Sequence, residues 1–571
     1  MEAQWTDSAM TVERCHEYCD DRGYYFYAVQ WSIECWCAPS STILDKHGSG
    51  TCDMDCGGDT SQNCGGFYAF AAYKVGSSAA GPTTPSPPSP SPPTSPNPSP
   101  TPIMTIPDSC DLSIPEFRWH EDSGIDGRMY AEGDGCFTMT DLYNFRGEWN
   151  DGRSKGPVYV LDDDGKVDEH PDSFTGKWLL TSELYVTGGG TFYCRGTNIG
   201  GDCNELRIES GGSNAYHEIR GHGGSLYFEN TVVTSWDTTN RRPQEEYTNG
   251  RSFLNCLSER LIGTTCADED MGECRMDIIN SEMGYLGFDD SESYGLTWKV
   301  RGFCSDLSNP QVFDDVNVYG DIMDSDIHHM YYGMYSYGHQ GGVWTNNKMH
   351  DNIIYGFDPH DDSDYLTIAG NEVYNNVNHG IIASKRCNNV KIYDNEVRDG
   401  GSNAVGIFLH RSSNDCEIYA NVITNMGDAG IALMESFGAD IHDNFVDGAE
   451  FGIRMNLGAG DNKVHDNVFN DISNVGIFTF FGADPPEVGG GRPYNNKFYN
   501  NEITNTITGV KLKDSDRISI TSNEFTGTEE IEFNDAQDTV WSGNSLLSGG
   551  CLRNQRGSSS FAESSDLPGD C

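Results

Sequence analysis

Seven glycines in the second half of the chain, Gly333, Gly356, Gly380, Gly406, Gly430, Gly452 and Gly476, recur at intervals of 23, 24, 26, 24, 22 and 24 residues. Each opens a short run with apolar residues one and, in most repeats, three places on. A second ladder keeps step with them: Asn371, Asn395, Asn421, Asn444, Asn467, Asn501, Asn523 and Asn544. A fixed period of this length, with an asparagine in the same turn of each unit, marks a stacked solenoid. One unit cannot bury its apolar face alone; stacking makes a continuous core. A repeat near 24 residues holding three short strands predicts an all-β chain whose main body is a right-handed parallel β-helix. Its long flat face suits a polymer. The 33-residue step from Gly476 to Gly509 predicts an extra loop carrying DPPEVGGGRP, not a broken helix.

The chain of 571 residues suits a small module joined to an elongated solenoid. No stretch reaches the roughly 18–20 apolar residues of a membrane helix, so no membrane span is expected. The net charge of −51 argues against nucleic acid, because phosphate binding needs a basic face. A polyanion could still bind, but only in a groove that is locally basic. The 19 cysteines point to an oxidising, secreted setting. The start MEAQWTDSAM lacks the basic head and apolar stretch of a signal peptide, so the chain is expected to begin after a removed segment.

Residues 1–78 form a cysteine-dense unit with Cys15, Cys19, Cys35, Cys37, Cys52, Cys56 and Cys64, too small to be stable without disulfides. Its strings TVERCHEYC, ECWCA and CGGDTSQNCGG resemble the WSC domain, a carbohydrate-associated extracellular module. The resemblance implies a cell-wall glycan as partner, and an eighth cysteine that would fall upstream of Met1. Residues 79–106, with GPTTPSPPSPSPPTSPNPSPTP, read as an extended tether. Residues 107–571 read as the catalytic β-helix, with a cap over 107–175, coils over 176–550 and a tail over 551–571. Cysteines between Cys194 and Cys304 should brace its loops, and Cys551 and Cys571 its tail. The acidic run LDDDGKVDE at 161–169 lacks EF-hand spacing, and no metal site is read there.

Counting from each glycine, strand alternation turns positions one and three inward and positions two and four outward. The outward pairs are Tyr335 and Tyr337, Asp358 and His360, Ile382 and Ser384, Phe408 and His410, Ala432 and Met434, Arg454 and Asn456. Position five adds Asp361, Lys385 and Arg411. Coils stack about 4.8 Å apart, so Tyr337, His360, Ser384 and His410 should form one stripe with Lys385 and Arg411 beside it. Two histidines, a tyrosine, two cations and carboxylates in four coils concentrate proton-transfer chemistry.

The string YGFDPHDDS at 355–363 resembles the DPH signature of mannuronan C-5 epimerases, β-helical enzymes acting on alginate. NHGIIASKRCNN, MGYLGFDDSESYGLTWKVRGFC and GIFLHRSS look most like the brown-algal branch, some members of which carry a WSC module. The resemblance implies inversion at C-5 of mannuronate within the polymer, giving guluronate. It implies a proton-transfer pair of His360 and Tyr355, with Asp358 orienting or tuning them. A further aspartate of the bacterial secreted enzymes falls here at Ser384, followed by Lys385. Tyr355 precedes its glycine, so parity alone does not turn it outward; Tyr337 and His410 are the competing candidates from the stripe.

Removing the C-5 proton requires the adjacent carboxylate to be neutralised first. Lys385 and Arg411 suit that task, and one group on each face of the sugar must then exchange protons. His339, Lys299, Arg301, Asp361, Arg386, Tyr335 and Arg454 are candidates for further subsites along the polymer. The chemistry needs no cofactor; a Ca2+ requirement stays open. Alginate or polymannuronate in the groove is the expected partner of a secreted monomer. Two readings compete: an alginate lyase, which would expel the C-4 oxygen by β-elimination, and a non-catalytic protein gripping cell-wall glycan.

Overall fold

The computed structural model describes residues 3–6, 11–20, 26–30, 34–38 and 71–74, then 113–120, 127–146, 156–169, 171, 173–211, 216–248, 250–259, 272–301, 313, 316–547, 549–555, 560–564 and 566–571. The chain divides into two compact units, one built on Met1–Ser99 and the other holding Pro100–Arg260, Asp270–Arg301 and Val316–Cys571. In the first, a helix over Val12–Asp20 accompanies a four-stranded antiparallel sheet, and Cys15 is bonded to Cys35. The expected tether and most of the cysteine-dense unit lie outside the described residues.

The second unit is a right-handed parallel β-helix built of three long sheets. Strands are dealt to the sheets in rotation, so each sheet takes every third strand and each circuit adds one strand to each sheet. Sheet A collects the strands that begin at or beside the periodic glycines: Tyr332–Tyr337, Phe357–His360, Ile381–Ser384, Ile407–His410, Ala429–Met434, Phe451–Asn456 and Val475–Phe480. Sheets B and C are built mostly from three-residue strands. Their middle residue points inward, so Ile368, Ile392, Ile418 and Ile441 follow one another in a fully buried column.

Both ladders have a steric or polar cause. A Cβ on Gly333, Gly356, Gly406 or Gly452 would stand 2.4 to 2.7 Å from the carbonyl oxygen of the next glycine in the stack. The coils approach through glycine because no side chain fits between them. The asparagines fill a buried turn. Asn371 donates its backbone N–H and its Nδ2 to Asn395 Oδ1, at 3.0 and 2.9 Å, and Nδ2 also donates to the Trp344 carbonyl at 2.9 Å. The pattern repeats through Asn395, Asn421, Asn444, Asn467, Asn501, Asn523 and Asn544. Polar groups this deep would destabilise the core unless bonded, and here each amide is.

Parallel stacking begins earlier than the sequence reading placed it, at Arg128–Glu132 against Glu183–Thr187, inside the segment read as a cap. The tail also joins the helix. Cys551–Gln555 and Phe561–Ser564 add strands to two sheets, and Cys551 is bonded to Cys571. Cys194–Cys203 and Cys256–Cys274 brace the early coils. The long step after Gly476 is a loop over 481–495, and the ladder crosses it unbroken, Asn467 donating to Asn501 at 3.1 Å.

Asn421→Leu should strand the Asn395 amide donors and the Ile392 carbonyl in a dry turn. Unfolding by denaturant is expected to show a loss of about 2–4 kcal/mol, since each unsatisfied buried group costs about 1–3 kcal/mol. Wild-type stability in this variant would mean that the ladder is ornamental.

Candidate active site

The strand register of sheet A sets Lys299 beside Tyr337, Tyr337 beside His360, His360 beside Ser384 and Ser384 beside His410. These five side chains stand in one column on successive coils. The strands ending at His360, Ser384 and His410 then leave the sheet through a left-handed pair: Asp361 and Asp362, Lys385 and Arg386, Arg411 and Ser412 all have φ between 30° and 61°. Such a backbone costs a non-glycine residue about 1–2 kcal/mol. It is held by coil-to-coil bonds, Lys385 N–H to the His410 carbonyl and Arg411 N–H to the Met434 carbonyl, both 2.7 Å. The turn swings charged side chains alongside the column.

His360 lies with Nδ1 against the Asp361 carboxylate, and the Tyr335 ring packs 5.5 Å from its own. Burial alone would raise the Asp361 carboxyl. The hydrogen bond and charge of His360, with the charges of Arg386 and Lys385, outweigh it and hold the group below the usual carboxylate range. An ionised Asp361 against Nδ1 favours a proton on that nitrogen and leaves Nε2 as the nitrogen available for proton exchange.

Asp358 departs from the sequence reading. Alternation turns it outward, yet it is 2% exposed. Tyr335 stands beside it on the preceding coil, and its Oδ1 has no hydrogen-bond partner among the described residues. Burial pushes its carboxyl up to about 7, opposed by the His360 charge and reinforced by Asp361. Burial, and then the Asp358 charge, raises the phenols of Tyr332, Tyr335 and Tyr355. Burial followed by Asp361 pushes Tyr337 up to about 12. The tyrosines around His360 therefore hold their protons at neutral pH, as proton donors must.

Tyr355 reaches the same face by a route that alternation does not describe. Tyr355 and His379 precede their strands and Tyr332 opens its own, and the three, each one residue before a periodic glycine, occupy corresponding places on successive coils. Tyr355 stacks flat on His379 at 5.3 Å and meets Tyr332 edge-on at 5.3 Å. It also packs against an apolar patch including Ile382, Phe408, Ala432 and Met434, outward positions that are buried on this face. His379 was missed in the sequence reading, although its place before Gly380 repeats that of Tyr355 before Gly356. Its Nδ1 accepts the Val405 N–H at 3.0 Å, and burial, then the charges of Arg454 and His410, lowers it to about 3. His410 is likewise neutral: burial, then Arg411, His360 and Lys385, lowers it to about 4, and its Nδ1 sits 3.0 Å from Ser384 Oγ.

The cations divide sharply. Arg411 pairs with the buried Glu435 at 3.1 Å and, from the loop over 481–495, with Glu487 at 3.2 Å, so its charge is already met by carboxylates of the chain. Arg386 pairs with Asp361 and Asp362, Arg454 with Asp428 at 2.6 Å, and Lys299 with Glu292 at 3.0 Å. Arg301 is half exposed, 3.9 Å from Glu292. Lys385 makes no ion pair among the described residues, and its charge is felt by Asp361 and His410 on either side. The expected basic groove is therefore concentrated at one ammonium. His339 is a further correction. It is wholly buried between Trp298 and Trp344, because the turn at Gly338, with φ of 73°, sends the next residue into the core. No polymer can touch it. A concavity of about 750 Å³ near Gly448, lined by Glu450 and Asp471, has no histidine or cation.

Comparison with known proteins follows the same division. The family model described as periplasmic copper-binding protein (NosD) matches residues 311–479, the most regular coils, and the WSC domain model matches residues 1–66. The mannuronan C5-epimerase of Pseudomonas putida is 29% identical over 284 residues, 49% of this chain and 50% of that one. The mannuronan C5-epimerase AlgG of Azotobacter vinelandii is 30% identical over 307 residues, 49% of this chain and 52% of that one. Over about half its length the chain is similar to mannuronan C5-epimerases. It spans about half the length of these curated relatives. The crystal structure of the periplasmic alginate epimerase AlgG shares the fold, with a TM-score of 0.51 at 22% identity, covering 70% of this chain and 85% of that one.

The raised Asp358 carboxyl has a sign that can be checked. The folded state holds this proton up to about pH 7 and the unfolded chain only to about pH 4, so Asp358 withdraws stability as pH rises between those values. Asp358→Asn should therefore be more stable than wild type at pH 8, by about 2–4 kcal/mol, with the gain vanishing near pH 4. Unfolding curves at the two pH values measure the difference. An equal effect at both would place the Asp358 pKa near that of an ordinary carboxyl.

Proposed function

We propose that this face inverts C-5 of β-D-mannuronate residues within alginate, giving α-L-guluronate. The observation that carries the reading is Lys385, a cation without an ion pair among the described residues, one coil beyond a histidine whose Nδ1 lies against the Asp361 carboxylate. A uronate carboxylate set against Lys385 loses the charge that otherwise keeps its α-proton in place. His360 Nε2 then takes the C-5 proton, and the electron pair left behind is delocalised into the carboxylate. A tyrosine hydroxyl on the other face returns a proton to C-5, and Tyr355 is the group assigned to it. His360 gives up its proton to solvent, and the phenol is reprotonated in turn. No bond to C-4 need break. The similarity to mannuronan C5-epimerases over half the chain supports the same reading. The disulfides suit an extracytoplasmic compartment. The N-terminal WSC unit is read as a glycan-holding module and not as part of the reaction.

His360→Gln should lower turnover on polymannuronate by about 10²–10⁴-fold, the usual contribution of a general base. Lys385→Met should lose activity comparably while keeping the fold, and Arg411→Met should lose much less, because its charge is already met by Glu435 and Glu487. Proton NMR of the polymer counts guluronate formed. Unsaturated uronate ends in place of guluronate would instead identify a lyase. An Arg411 variant as damaged as the Lys385 variant would overturn the assignment of the neutralising cation.

A further inference from the structure

Beyond the loop over 481–495, the outward face of sheet A opens into a second cavity of about 540 Å³, lined by Phe478, Lys511, Lys513, Glu530, Glu532, Asn534 and Arg553. Phe478, Lys511, Glu532 and Arg553 occupy one outward column, and Lys513 and Asn534 stand together in another. The strand that carries Lys511 and Lys513 is the sixth after the one that carries His360. At about 4.8 Å per strand the separation is about 29 Å. Nothing in the proposed reaction uses this pocket.

Three features of it ask for a ligand. Two of its cations are answered internally, Lys511 by Glu532 at 2.8 Å and Arg553 by Glu530 at 2.7 Å. Lys513 is exposed and makes no ion pair among the described residues, so the lining carries an excess positive charge on a chain of net charge −51. Asn534 is 9% exposed, and its amide oxygen has no hydrogen-bond partner among the described residues. A buried amide left open in this way is costly unless something else completes it. The wall toward the active site is aromatic. Phe478 stacks on Phe451 at 5.4 Å and on Phe480 at 4.6 Å, an apolar surface beside the cation.

We infer that this pocket is a second binding site for an anionic sugar, holding a uronate of the same polymer chain at a distance from the reacting residue. Lys513 receives the carboxylate, Asn534 accepts a hydrogen bond from a sugar hydroxyl, and the phenylalanine wall covers an apolar ring edge. The site rests on the polyuronate reading of the catalytic face. Its class of ligand follows from the pairing of an uncompensated ammonium with a hydroxyl acceptor and an aromatic wall. A chain long enough to occupy both places gains affinity by linkage without any new contact at His360.

The test uses the full-length protein, polymannuronate chains long enough to span both sites, and oligomers too short to do so. Their affinities are measured by calorimetry at low salt. Wild type should prefer the long chain, and Lys513→Glu should cut that preference by about fivefold to tenfold. Lys513→Arg should keep it, and Asn534→Ala should reduce it. Equal long-to-short ratios in wild type and Lys513→Glu would overturn the site, and so would an equal loss on a neutral glucan of the same length. Because the readout is binding, it stands apart from the reaction. A protein that forms no guluronate but still shows the Lys513 dependence would remove the proposed activity and leave this site standing.

Discussion

Everything on the face proposed to be catalytic depends on the coil-to-coil hydrogen bonds that fix the register of sheet A. A proton-transfer site needs groups held to fractions of an ångström, and short strands of four residues cannot supply that rigidity alone. The asparagine ladder does so from the back of the coil, bonding each turn to the next through both the backbone and the side-chain amide. The glycine column permits the close approach, since any Cβ there would strike the neighbouring carbonyl. His360 faces Ser384 and Tyr337 because these two devices leave no freedom to slip. A one-residue slip would turn the whole stripe into the core.

Within that frame the electrostatics are set by what is left unpaired. Arginines outnumber the lysine beside the column, yet each is tied to a carboxylate, and a paired guanidinium has little charge to lend. Lys385 makes no ion pair among the described residues, because Asp361, the acid on the preceding coil, is already paired with His360 and Arg386. Asp358 works the other way. Buried without a partner at Oδ1, it is protonated more readily than a surface aspartate, while burial first, and its charge when ionised, keep the nearby phenols in their acid form. A neutral His379 beneath Tyr355 and a neutral His410 beside Ser384 add no competing charge. The net charge of −51 is thus compatible with a polyanion as ligand, because in the proposed reading one local ammonium, not the average, meets the carboxylate.

Much of this was legible in the sequence, for a physical reason. A solenoid repeats its environment, so the same residue type is demanded at the same interval, and the glycine and asparagine ladders are printed directly in the chain. The column from Tyr337 to His410 follows from the same arithmetic. What periodicity hides is contact between distant segments. Arg411 read as open until the loop over 481–495, some 74 residues on, brought Pro485 and Glu487 to it. His339 follows a turn that breaks the alternation, so its inward path was not predictable from parity. His379 was overlooked because positions were counted forward from each glycine, while the informative residue stands one place behind it. The burial of Asp358, with Tyr335 beside it on the preceding coil, is a packing outcome that no single repeat encodes.

The central claim is that the face moves a proton through C-5 by way of two different groups, one taking and one returning it. Incubation of the intact protein with polymannuronate in deuterium oxide, followed by NMR of the polymer, tests it directly. New guluronate residues should carry deuterium at C-5, because the returning proton comes from a hydroxyl in exchange with solvent, and no unsaturated uronate should appear. Guluronate that retains its original C-5 hydrogen, or a product consisting only of unsaturated ends, would contradict the account.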